Sequence, residues 1–304
     1  MKNCLFVSLW LLASCTSTAH LEEENRELRN AIADLEEQNQ KLSASSRYSE
    51  VVLPNTELRE LTSTLNGQTY QIKVKLPRGY EDGSMSYPVL YVTDAETNFG
   101  GITYIVQRLI KDRLIPPLLV VGIAYGTDYD TFYELRSRDL TPVEDKELTF
   151  GSKTKPDPTG GADKFSDFLA KELFPFIEEN YRVKPNDRAL YGHSYGGLFG
   201  SYVLLEKPAL FNRYLLLSPS FWYYDDMMLD EVKTAQLALE PTRLYMASGE
   251  HEGRIDDLQI EFIARLSERS IENLMIEAEV MENETHRTIF GSGFTDGMRF
   301  LYGE

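Results

Sequence analysis

Beyond its first fifteen residues the chain has no sulfur chemistry available from cysteine. Its two cysteines are Cys4 and Cys15, so the body that follows offers no disulfide framework, no thiol nucleophile and no zinc-thiolate site. Histidine is scarce too, with four in 304 residues, which makes any search for a histidine base short. After residue 20 no apolar run approaches the roughly 20 residues a membrane-spanning helix needs. Positive charge is in deficit: 31 Lys and Arg stand against 48 Asp and Glu, a formal charge of −17. Such a chain repels phosphate backbones, which argues against nucleic-acid partners. What is present is ordinary. A hydrophobic fraction of 42% and a charged fraction of 26% belong to a globular protein and exclude wholesale disorder.

The start of the chain reads as an address. Met1-Lys2-Asn3 is short and positive, Leu5 to Leu12 is apolar, and Leu12-Ala13-Ser14-Cys15 follows. A charged start, an apolar stretch below spanning length and small residues before a cut site form a secretory signal over 1–14. Its ending resembles a bacterial lipobox, in which the cysteine, here Cys15, becomes the lipidated first residue. Several acyl chains on one residue give stable anchoring. Thr16 follows, where inner-membrane retention uses Asp, so the expected location is the outer membrane, facing the periplasm. Residues 15–46 then carry the anchor and an acidic stalk. Leu21, Leu28, Leu35 and Leu42 recur every seven residues, Ile32 takes a complementary seam position, and Asn25 and Asn39 take two more. This is the pattern of a three-heptad coiled coil, and a homo-oligomer through 21–42 and a single solvated spacer helix both fit it. Ser43-Ala44-Ser45-Ser46 marks a boundary.

From 47 to 304 strand-like and helix-like segments alternate. Asn66-Gly67 between Glu57–Leu65 and Gln68–Leu76 predicts a hairpin. Strands are expected at Tyr87–Thr93, Pro117–Tyr125, Ala189–Tyr191, Tyr214–Leu217, Leu244–Ala247 and Leu274–Val280. Helices are expected over Phe165–Tyr181, over Leu198–Leu205 and from about Gly293 to Tyr302. The order predicts an α/β fold: a mostly parallel sheet flanked by helices, with an antiparallel hairpin at its start. Chemistry in such sheets sits at the carboxyl ends of the strands.

One of those ends carries Gly192-His193-Ser194-Tyr195-Gly196-Gly197, between a short strand and an apolar helix. G-x-S-x-G in that setting is a nucleophile elbow: glycines at 192 and 196 permit the tight turn, and Ser194 is lifted above the sheet at a helix N-terminus. A serine nucleophile needs a base. His20 lies at the stalk, His193 adjoins the serine and His251 precedes most of the candidate acids. With the order serine, acid, histidine, His286 is the base candidate. The acid belongs on the loop after Leu244–Ala247, where Glu250, Glu252, Asp256 and Asp257 compete. Glu252, three residues past Gly249, ranks first, then Asp256, then Glu250. His251 among these acids lacks the H-E-x-x-H spacing, so no metal is expected, and a serine hydrolase needs no cofactor.

The segments Tyr87-Pro-Val-Leu-Tyr-Val-Thr-Asp94, Arg138-Asp-Leu-Thr-Pro142, Gly192–Gly197, Ser218-Pro-Ser-Phe-Trp222, and Glu284-Thr-His286 to Gly297–Leu301 carry a resemblance. The chain from about Tyr48 onward resembles an esterase branch of the α/β-hydrolases that includes enterochelin and salmochelin trilactone esterases, esterase D, feruloyl esterases and mycolyltransferases. The trilactone esterases look most similar, through the Arg138 and Trp222 segments. The resemblance implies Ser194 as nucleophile and His286 as base. It implies an oxyanion hole from the Tyr195 N–H and a backbone N–H after Asp94, at Ala95 or Glu96; the family usually has Gly where Ala95 stands. It also implies Arg138 and Trp222 as pocket residues, each of which fits a structural role equally well. The expected function is an exported serine carboxylesterase working through an acyl-enzyme on siderophore trilactones or other small esters. An acyltransferase using the same groups, a peptidase and a non-catalytic envelope scaffold are the competing readings.

Overall fold

Strand residues with both neighbours apolar can be buried only if helices cover both sheet faces, and that is the arrangement found. The computed structural model describes residues 20, 23, 25–37, 52–149, 156–235, 237 and 239–303 and divides into two units, 1–52 and 53–304. In the first unit a helix, α1 (25–37), places Leu28, Ile32 and Leu35 at positions that share one face, each more than half exposed. Cys15, the export segment, Leu21, Asn39 and Leu42 lie outside the described residues. No helix among those described is long and apolar enough to cross a membrane.

The second unit is built on an eight-stranded sheet of order β1-β2-β4-β3-β5-β6-β7-β8. β1 (Thr56–Thr62) and β2 (Thr69–Lys75) form the antiparallel hairpin, and β2 runs antiparallel to β4 (Leu119–Ala124). From β4 onward the pairs are parallel, through β3 (Tyr87–Val92), β5 (Val183–His193), β6 (Arg213–Leu217), β7 (Thr242–Gly249) and β8 (Leu274–Met281). The expected hairpin is present, but its connection is longer than two residues. Ser63 and Gln68 close it (Ser63 N–H to Gln68 O, 2.9 Å), Gly67 takes a left-handed φ of 73°, and Asn66 Oδ1 accepts from Gln68 N.

Alternate residues of each strand point to opposite faces. Val89 and Tyr91 of β3 join one core, while Leu90 and Val92 join the other. The second core is covered by α2 (Ala95–Lys111) and by the last helix, α9 (Ile289–Tyr302). The first is covered by α3 (Tyr129–Leu140), α4 (Ala162–Phe168), α5 (Phe174–Asn180), α6 (Tyr195–Glu206), α7 (Met227–Thr234) and α8 (Arg254–Glu268). The sequence segment expected to be one helix, Phe165–Tyr181, is continuous but widens into a π-helical turn at Leu169–Leu173. Pro175 stands two residues past its end; it has no N–H to give to the preceding turn, and the helix opens where that bond is missing.

Candidate active site

Five connections leave the carboxyl ends of neighbouring parallel strands, and they bring together residues far apart in sequence. Asp94 follows β3, Ser194 follows β5, Ser218 to Ser220 follow β6, Glu252 follows β7 and His286 follows β8. Ser194 sits between β5 and α6 at φ 59°, ψ −115°, a conformation that strains any residue with a Cβ. The elbow is held by backbone bonds from Ser194 N–H to Leu217 O and from Ser220 N–H to Ser194 O, at 3.0 and 3.2 Å. Both expected glycines are required by close approach. A Cβ on Gly192 would lie 2.1 Å from the Gly196 carbonyl oxygen, and one on Gly196 would lie 2.4 Å from Thr93 Oγ1.

Of the competing acids, Glu252 is the one joined to the candidate base. Its Oε2 lies 2.7 Å from His286 Nδ1. Its Oε1 accepts from Ser218 Oγ at 2.7 Å and from the Gly249 N–H at 2.5 Å. The Glu252 side chain is fully buried. Burial alone would raise its pKa, but the hydrogen bonds from His286, Ser218 and Gly249 outweigh it and hold the carboxyl below its ordinary value. Glu250 instead accepts from Asn283 N–H at 3.1 Å, and Asp256 lies in the first turn of α8. The β7 loop and the base loop are pressed together: a Cβ on Gly249 would come within 2.4 Å of Glu284 O. His251 is exposed and its backbone N–H goes to Glu284 O. Among the described residues there is no cluster of three metal-ligating side chains.

Ser194 Oγ is hydrogen-bonded to Ser220 Oγ at 3.2 Å rather than to the imidazole. The Ser218-Pro219-Ser220 turn therefore touches both the serine and the acid. Sequence reasoning gave neither of its serines a role; the signals were their place at the end of a predicted strand and within one of the segments that carry the resemblance. His193 precedes the serine on the elbow. Its Nε2 meets the main-chain oxygen of His286 at 2.6 Å, and the two rings lie 4.5 Å apart. Burial and the neighbouring His286 charge push His193 down to about 4.

Beside the elbow, Asp94 is the N-cap of α2 with a left-handed φ of 53°. Its carboxylate is gripped on both oxygens by Arg136 of α3, at 2.8 Å each, and both side chains are nearly inaccessible. The Arg136 guanidinium also lies over the Tyr195 ring at 5.2 Å. This pair fixes the first turn of α2, where Ala95 and Glu96 stand. Ala95 is fully buried and its methyl is accommodated by Gly122, on which a Cβ would come within 2.7 Å. The Glu96 carboxylate gathers the N–H groups of Tyr125 and Gly126. Burial raises its pKa against those bonds and against one from its own N–H.

Of the two roles open to Arg138, pocket lining and a structural lock, its contacts are those of the lock. Its guanidinium is bound by Asp139 at 2.7 and 2.9 Å and by Gln68 at 3.4 Å, and Asp139 also accepts from Tyr70 OH at 2.7 Å. Arg138 thus locks α3 to the first hairpin, and Arg136 is the arginine at the elbow. Trp222 is half-buried, with its ring 6.0 Å from that of Tyr195.

Known proteins share this arrangement of elements. The family described as "Putative esterase" matches residues 62–295. The ferri-bacillibactin esterase BesA of Bacillus subtilis (strain 168) is 30% identical over 82% of this chain and 90% of its own length. The solved structure of an IroE-like serine hydrolase from Shewanella oneidensis superposes with a TM-score of 0.71 at 30% identity, covering 81% of this chain and 80% of that one. The BES protein from Bacillus cereus gives a TM-score of 0.75 at 26% identity, over 85% of this chain and all of that one.

Proposed function

The chain belongs to the "Putative esterase" family, and on that premise we propose that it hydrolyses carboxylic esters through an acyl-enzyme on Ser194. The observation that carries this is the strained elbow, with Ser194 at φ 59° between a strand and a helix whose N-terminus faces it. Ser194 Oγ swings from Ser220 to His286 Nε2 when substrate binds; hydrogen bonds of this kind often tighten only in the complex. It attacks the ester carbonyl while His286 takes its proton. Glu252, buried and ionised, accepts the Nδ1–H of His286 and stabilises the imidazolium. The tetrahedral oxyanion is held by the Tyr195 N–H and the Ala95 N–H. Ala95 is preferred to Glu96 because the Glu96 N–H is within reach of its own carboxylate. His286 then protonates the leaving alcohol, and water, deprotonated by the same imidazole, releases the acid.

The substrate class we propose is a siderophore lactone or a comparably small ester, on the strength of relatives named as siderophore esterases. Ser194→Ala is expected to lower turnover of a short-chain aryl ester by several orders of magnitude in a folded protein, since a triad acts as a unit. The same assay on a panel of ferric trilactones, feruloylated glycans and lipid esters, with and without an added alcohol acceptor, identifies the ester and the acyl acceptor. Wild-type turnover in Ser194→Ala removes the mechanism.

We further propose that Cys15 is lipidated and that residues 15–46 tether the esterase to the outer membrane on its periplasmic side. The short apolar leader and the Leu12-Ala13-Ser14-Cys15 pattern support this. Labelled fatty acid should enter the wild-type chain and not Cys15→Ser; an unlabelled wild type removes the anchor.

A further inference from the structure

We propose that His193 is a positioning residue that ties the loop bearing the base to the strand bearing the nucleophile, by donating its Nε2–H to the main-chain carbonyl of His286. The inference rests on the reading of Ser194 and His286 given above. The contact is 2.6 Å between groups 93 residues apart. A carbonyl oxygen can only accept, so this bond places the proton of His193 on Nε2.

Among the described residues, the loop 282–288 is otherwise hydrogen-bonded to α9, where Ser292 Oγ donates to Glu284 Oε1 at 2.6 Å, and to the loop after β7. Asn283 N–H bonds Glu250, the backbone N–H of His251 bonds Glu284 O, and His286 Nδ1 bonds Glu252. All three partners belong to the loop after β7. β5 and β8 are not neighbours in the sheet, since β6 and β7 stand between them. Ser194 Oγ points to Ser220. The bond from His193 to His286 spans from the elbow, 192–197, to the base loop. Through it the distance between nucleophile and base is set before substrate arrives, and misplacing reacting groups by about 1 Å costs on the order of 100-fold in rate.

The surroundings of His193 suit the task. It is shielded within the site and kept uncharged near neutral pH by burial and by His286, with Asp94 favouring its protonation and Arg136 opposing it. An uncharged neighbour 4.5 Å away does not repel the imidazolium that His286 becomes during the reaction. The sequence meaning of the variable position in G-x-S-x-G follows: here it faces the base loop rather than the substrate.

The test compares His193→Leu, which removes the donor, with His193→Gln, whose side-chain amide places an N–H at similar reach. In the full chain, His193→Leu is expected to lower kcat by about 10- to 100-fold with KM changed less than about threefold. Phosphonylation of Ser194 by a fluorophosphonate probe, which needs the base but little of the substrate pocket, should slow in parallel. His193→Gln should recover most of both rates. Wild-type kcat in the Leu variant, a loss confined to KM, or a Gln variant no faster than Leu overturns the proposal. If His193→Leu does not fold by circular dichroism, His193→Asn, whose amide is one methylene short, takes its place in the comparison. Ser194→Ala and His286→Ala run alongside. If they retain activity the functional reading itself fails, whereas their inactivity beside a fully active His193→Leu overturns only the role of His193.

Discussion

Ser218 shows how a single hydroxyl can matter without touching substrate. It is fully buried, adopts a left-handed φ of 45°, and donates at 2.7 Å to the oxygen of Glu252 that His286 does not use. A hydrogen bond to a buried charge contributes about 1.5–3 kcal/mol, and the part of it that is felt as charge builds on His286 appears in the rate. Ser218→Ala is expected to lower kcat about tenfold, since 1.36 kcal/mol is one decade, with KM little changed. Steady-state kinetics on an aryl ester checks this, and an unchanged kcat shows that the Gly249 N–H and His286 suffice to hold the carboxylate.

At the scale of one element, α1 poses a question about association. Leu28, Ile32 and Leu35 recur on one face and are exposed in the single chain, while Arg26 pairs with Glu23 at 2.5 Å on the outside. Burying a leucine in a coiled-coil seam is worth roughly 1.5–3 kcal/mol, but the three-heptad pattern expected from the sequence, with Asn at two of its seam positions, is short for stable pairing. We propose that this face associates with a second copy. Replacing Leu28 and Leu35 with Lys is expected to convert the oligomer to a monomer and to leave ester hydrolysis unchanged. Sedimentation of the wild-type chain and the double variant decides it; a wild type that is monomeric at tens of micromolar makes the segment a spacer.

For the whole molecule, the lowered titrations of His193 and Glu252 act on stability in the same direction, and that of Glu96, raised by burial, acts in the opposite one. His193 titrates near 4 in the folded chain, against roughly 6.5 when unfolded. Between those values the unfolded chain binds the proton and the folded chain does not, so stability rises with pH. The contribution is fully present above about 6.5 and is lost as pH falls toward 4. Glu252, held below its ordinary value, adds a loss of stability as pH falls below the usual carboxylate range. Tm measured by calorimetry should therefore fall from pH 7 to pH 4. His193→Gln, which cannot titrate, should show a shallower fall between about 6.5 and 4; an unchanged slope means that other groups set the acid sensitivity.

How much of this was legible in the chain itself can be judged residue by residue. The elbow was, because glycines at 192 and 196 around a serine have a steric reason that is local, and the close approaches found there are that reason. The base candidate was, because four histidines leave little to choose among. The alternation of strands and helices carried the sheet, since the apolar runs of β3 and β4 are buried throughout. The choice among Glu250, Glu252 and Asp256 belonged to tertiary structure: three carboxylates within seven residues look alike until the loop packs at Gly249 against Glu284 and Glu252, alone of the three, meets His286. Arg138 was weighed from the sequence and Arg136 was not, though nothing local tells them apart. Two residues apart on α3, they point some 200° apart, so one grips Asp94 at the elbow and the other locks the hairpin. The contact of His193 with His286 joins positions 93 apart in the chain, and no local pattern encodes a bond whose partner arrives only when β8 has added to the sheet.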